Sequence, residues 1–149
     1  MDPICFLVAG AVLATLPAPE FTVAWQHSVQ KTQWVEHYRV AGGDLVLTSA
    51  RIEGSGAGME PPPEAMLRDG WWSWQPNRIL PELTLTRSSY VSDYVLCWED
   101  RCGNLGDLVG ATAEGAAVVV RPCKGMGPPA GLNRPPTVPA RPPAAVPAR

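Results

Sequence analysis

The stretch HSVQKTQWVEHYRV, residues 27–40, gathers side chains able to move protons: His27 beside Ser28, then Lys31, then Glu36. A Ser–His hydrolase brings hydroxyl and imidazole within about 3 Å of each other. Adjacent residues on a β-strand point to opposite faces, so on a strand His27 and Ser28 do not form that pair. Lys31 falls in a turn, where it is poorly placed to activate Ser28. Ser28 and Lys31 are therefore read as structural. His27 and Glu36 are read as an opposed cross-strand pair that holds register or floors a small pocket.

The elements that would place these groups follow from hydrophobic alternation. Phe21, Val23, Trp25 and Val29 alternate with Thr22, Ala24, Gln26 and Ser28, which is the period of a half-buried strand. After Lys31 the phase passes to Trp34, Glu36, Tyr38 and Val40. A turn centred on Lys31-Thr32 sets Val29 against Trp34, His27 against Glu36, Trp25 against Tyr38 and Val23 against Val40. This keeps the large apolar side chains on one face. AGGD at 41–44 signals a turn, and LVLTSARIE continues as a third strand of a meander. Trp71–Trp74, Leu83–Arg87, Tyr94–Trp98 and Ala116–Arg121 are further strands, and PPPEAML suggests a helical turn. The fold class is all-β, a small antiparallel sandwich or partly open barrel.

Other motifs carry weaker chemistry. Gly54, Gly56 and Gly58 alternate after a strand, but Pro61–Pro63 follow where a dinucleotide site needs a helix, so Gly56 and Gly58 are read as backbone features. In GWWSW, Trp71 and Trp72 take opposite faces, one for the core and the other open to ligand contact, sugars included. Cys97 and Cys102 flank a turn at Glu99-Asp100, which puts them opposite each other at a separation a disulfide spans. Pairing of either with Cys123 stays open. A zinc site from three cysteines and a histidine lacks the paired C-x-x-C spacing.

The chain has 149 residues and a formal net charge of −2, which argues against a nucleic-acid role. Ile4 to Leu16 is an apolar run too short to span a bilayer comfortably, which takes roughly 20 residues. Residues 1–19 are read as a secretory signal or N-terminal apolar segment, although Asp2 replaces the usual basic start. If that segment anchors, it is the sole membrane contact expected. Removal of a signal would take Cys5 and leave an odd thiol. Residues 124–149 contain eight prolines, four basic residues and no acidic one, with an RPPTVPA/RPPAAVPA repeat, and are read as a disordered tail. That leaves 20–123 as a single β-domain.

His27-Ser28-Val29, Lys31-Thr32, Glu36, Leu45-x-Leu47, Arg51, Gly56-Ala57-Gly58 and Gly70-Trp71 resemble a bacterial family of short exported proteins, classed as a domain of unknown function. The resemblance spans roughly residues 21–121 and leaves out the tail. Its members are often encoded beside TAXI-type TRAP transporters, which import small organic solutes with a periplasmic receptor. The resemblance implies an accessory protein of the periplasm or cell envelope, partnered with such a transporter or its receptor. It implies no catalytic residue and no cofactor.

Two readings follow. The first is a non-enzymatic binding or adaptor domain whose candidate ligand contacts are His27, Glu36, Arg51 and Trp72. The second is a small hydrolase or isomerase acting on the transported solute through His27 and Glu36, with Arg51 anchoring an anion. A carbohydrate-binding module built on the tryptophans is a third. A pocket lined jointly by His27, Glu36 and Arg51 would favour the ligand or enzyme reading.

Overall fold

Chain reversals set the architecture. The structure, a computed structural model, describes residues 3–26, 32–54 and 61–123. Ala9-Gly10, Gly42-Gly43 and Asp69-Gly70 each place two successive residues at positive φ. That is the type I′ turn, whose twist matches antiparallel strands and which glycine enters without strain. These turns join β1 (Ile4–Val8) to β2 (Ala11–Leu16), β4 (Gln33–Ala41) to β5 (Asp44–Glu53), and β6 (Met66–Arg68) to β7 (Trp71–Trp74). The remaining strands are β3 (Glu20–Gln26), β8 (Arg78–Leu80), β9 (Leu83–Thr86), β10 (Val95–Trp98), β11 (Arg101–Asn104) and β12 (Ala117–Pro122). One short helix, α1, covers Leu105–Val109.

The strands form two antiparallel sheets. The small one runs β2-β1-β12-β9; the large one runs β11-β10-β3-β4-β5-β7-β6, with β8 paired to β5. Between them lies the main core, with Ile4, Phe6, Leu16, Leu85, Val118 and Val120 from the small sheet. Phe21, Val23, Tyr38, Leu45, Leu47, Leu96 and Trp98 meet them from the large sheet, and Leu105, Leu108 and Val109 of α1 join the same cluster. This is the open antiparallel sandwich the strand spacing predicts, and β3-β4-β5 is its meander start.

Three expectations change. First, the β3–β4 register places Trp25 against Trp34, Val23 against Glu36 and Phe21 against Tyr38. Relative to the register read from the sequence, the pairing slips by four positions, so Val23 takes the place opposite Glu36 that the sequence reading gave to His27, a residue outside the described ones. An even slip keeps every side chain on its face, so the apolar set still points into the core. The rings pair as tightly as before: Trp25 stacks on Trp34 at 5.6 Å and Phe21 on Tyr38 at 5.4 Å between centroids.

Second, the apolar run Ile4–Leu16 is strand, turn and strand. Its length of unbroken apolar residues follows from burial on both faces. Ile4 and Phe6 face the main core, while Cys5 and Leu7 are buried on the other side with Val12 and Cys123. These residues thus pack in the same core as the later strands. Third, PPPEAML forms a turn closed by Ala65 N–H donating to the Pro62 carbonyl at 2.9 Å, then enters β6. Among the described residues no helix is long and apolar enough to cross a membrane.

One disulfide clamps a hairpin, and the other ties β1 to the residue that follows β12. Cys97 pairs with Cys102 directly across the β10–β11 hairpin, Cα to Cα 4.0 Å, the close, non-hydrogen-bonded type of cross-strand pair. Cys5 pairs with Cys123, not with nothing, and so Cys123 is not available to Cys97 or Cys102.

Candidate functional site

The large sheet has an inner face toward the core and an outer face, and alternation assigns each candidate to one of them. Glu36 opposes Ala50, and Arg51 opposes Val35. Neighbouring positions on paired strands leave the sheet on opposite sides. Glu36 is therefore on the inner face and Arg51 on the outer, and the two do not line one pocket. Trp72 opposes Ile52, which puts it on the inner face with Glu36. His27, Ser28, Lys31, Gly56 and Gly58 lie outside the described residues. The acid–base pair with an anion anchor that the hydrolase reading needs is not assembled from Glu36 and Arg51.

Glu36 is a partly buried carboxylate. The Tyr38 hydroxyl, two residues along on the same face, donates to it at 2.6 Å. Burial pushes the Glu36 carboxyl above its ordinary range, opposed by that hydrogen bond and by the charge of Arg78. Burial, reinforced by Glu36, holds the Tyr38 hydroxyl firmly protonated. Around it stand half-buried aromatics: Trp34 meets Trp74 edge-on at 6.4 Å, and Trp25 meets Tyr94 edge-on at 5.9 Å. The Trp72 indole N–H is buried with no hydrogen-bond partner among the described residues.

The outer face carries the polar chemistry. One row of the sheet reads Val95, Ala24, Val35, Arg51, Ser73, Met66 from strand to strand. Its first half is apolar: Ala24 and Val35 are buried with the Cys97–Cys102 disulfide, and Trp71 and Val95 pack on them. Its second half opens into a cleft of about 590 Å³ lined by Ser49, Arg51, Glu64, Met66, Ser73, Trp74 and Gln75. The Arg51 guanidinium lies over the Trp71 ring, 5.3 Å from its centroid. Stacking of this kind fixes the guanidinium plane and leaves its N–H edges for in-plane partners. It is Trp71, not Trp72, that accompanies Arg51.

Plain alternation puts Ser49, two residues before Arg51 on β5, in this set. The β4–β5 register shifts just beyond Ser49, between His37 and Tyr38, so that Leu47 opposes Tyr38 on the inner face while Ser49 opposes His37 on the outer. The same face holds an imidazole–carboxylate contact that the sequence reading did not identify. His37 Nε2 lies 2.7 Å from Glu20 Oε1, and His37 Nδ1 lies 2.6 Å from Thr48 Oγ1. Among the described residues a His–Glu cross-strand pair is thus made by Glu20 and His37. It borders a smaller cleft of about 210 Å³ shared with Thr22 and Glu99.

Residues 21–105, more than half of the chain, match the family model described as Domain of unknown function (DUF1850). No curated protein and no solved structure matches.

Proposed function

The chain belongs to the DUF1850 family, and on that premise we propose that it is a non-enzymatic binding domain of the cell envelope, an exported accessory of a TAXI-type TRAP solute transporter. The observation that carries this reading is the outer-face cleft of about 590 Å³ over Arg51, built on rigid strands and walled by both polar and apolar side chains. Its volume suits a small organic solute. Two disulfides suit an oxidising compartment and so support export. The receptor contact falls at the β6 end of the large sheet, where Met66 and Leu67 are 68% and 56% exposed. Exposed apolar side chains on an edge strand are a natural protein contact.

Affinity-tagged chain, expressed with the transporter's solute receptor in the native envelope, tests the partnership. Retention of the receptor by the wild-type chain, and its loss with Met66→Asp/Leu67→Asp, is the expected result. A receptor that never co-purifies, with or without crosslinking, removes the transporter reading.

A further inference from the structure

The cleft's chemistry is specific enough to name a ligand class. We infer that the outer-face cleft binds a small monocarboxylate, its anionic end held by Arg51, Ser49 and Ser73. This rests on the reading of that cleft as a binding site.

Three observations lead there. The guanidinium is preorganised by Trp71, 5.3 Å away, so less side-chain freedom is lost when its planar N–H fork meets a carboxylate. Hydroxyls flank it on two sides, Ser73 directly opposite on β7 and Ser49 two residues back on the same face of β5. A carboxylate has lone pairs for both hydroxyls as well as the fork. Met66 adds apolar surface for a carbon skeleton, and Glu64 and Gln75, which are not members of that row, complete the lining with Trp74. Glu64 is the acidic residue of the lining and selects against a second negative charge on the ligand. A second carboxylate there meets like charge, whereas a methyl, hydroxyl or ammonium does not. Arg51 has five N–H donors, enough to hold a ligand alongside the protein contacts it already makes.

The test is a titration of the full chain at neutral pH with butyrate, γ-aminobutyrate, glutarate and butyramide, following tryptophan indole N–H resonances by NMR. Butyramide copies butyrate in shape and removes the charge. Butyrate and γ-aminobutyrate should move the Trp71 resonance, with butyramide at least about tenfold weaker than butyrate. Glutarate should bind more weakly than butyrate and recover with Glu64→Gln. Arg51→Gln should abolish butyrate binding, and Ser73→Ala should weaken it. Arg51→Lys, which keeps charge but not the fork, guards against a misfolded Gln variant and should weaken binding by about tenfold.

Equal binding of butyrate and butyramide overturns the inference, as does glutarate binding as tightly as butyrate. So does unchanged affinity in Arg51→Lys and Ser73→Ala, or no response from any carboxylate up to about 10 mM. Met66 belongs to both the cleft and the β6 contact, so the two readings are separated with Leu67→Asp alone, whose side chain leaves β6 on the other face, opposite Trp72. Failure of receptor co-purification with butyrate binding intact removes the transporter partnership alone, and the converse removes the carboxylate alone.

Discussion

Tyr38 donates a 2.6 Å hydrogen bond to the carboxylate of Glu36 from two positions along the same face of β4. The tyrosine is 2% exposed, and its ring stacks on Phe21. Tyr38→Phe keeps the ring and removes the donor, leaving a desolvated carboxylate short of a partner. The expected loss is about 1–3 kcal/mol, the cost of an unmade hydrogen bond to a buried polar group. Urea unfolding of the variant measures it. A midpoint equal to wild type would mean that water reaches Glu36 freely.

Glu36 also gives stability a pH dependence of definite sign. Its carboxyl titrates above 4.5 in the fold because burial disfavours the charged form. Between the unfolded and folded values the native state holds more protons, so the unfolding free energy falls as pH rises. The contribution is complete below pH 4.5 and is lost as pH climbs through the raised folded value. Glu36→Gln retains an acceptor for Tyr38 and deletes the titration. Its stability minus that of wild type should grow with pH across this window. A flat difference curve would show that the carboxyl is not held up by burial.

The two disulfides should differ in what they contribute. Cys5–Cys123 closes a loop with a sequence separation of 118, against 5 for Cys97–Cys102. Loop-closure entropy in the unfolded chain makes these worth about 5 and about 2 kcal/mol. Cys5→Ser/Cys123→Ser should therefore lower the denaturation midpoint more than Cys97→Ser/Cys102→Ser, which removes only the hairpin clamp. Equal losses would show that the long loop is already restrained when unfolded.

What the sequence revealed, and what it hid, divides along one physical line. Period-two alternation assigns faces, and the faces of β3 and β4 read from the chain are those observed. Alternation is blind to even slips, so it left the register open by four positions, and only the length of the connection after Gln26 decides it. Gly42-Gly43 and the Cys97/Cys102 spacing announce hairpins because their local chemistry needs no tertiary information. The β1–β2 hairpin was concealed because both its faces are buried, which erases alternation. Arg51 stood out in the chain as a candidate contact, and the structure sets it over the Trp71 ring. Ser49 and Ser73 did not, since nothing local marks a serine until the pairing of β5 with β7 gathers the two around a guanidinium.

The register is directly testable by crosslinking. Gln26 opposes Gln33 on the outer face at the end of the β3–β4 ladder. Directly opposed residues in an antiparallel pair have Cα atoms about 4.5–5.5 Å apart, inside the range a disulfide spans. In the register centred on Lys31-Thr32, Gln26 would instead oppose His37. In the structure His37 is four steps along β4 from Gln33, which at about 3.3 Å per residue puts it roughly 13 Å beyond reach. Gln26→Cys/Gln33→Cys should therefore oxidise to a third disulfide in the folded protein, detected by a two-proton mass loss and a new crosslinked peptide. Gln26→Cys/His37→Cys should remain reduced under the same conditions. The opposite outcome would restore the His27–Glu36 pairing and would set Trp25 against Tyr38. The Trp25–Trp34 stack would be lost, and with it the arrangement of the tryptophan-rich end of the inner face.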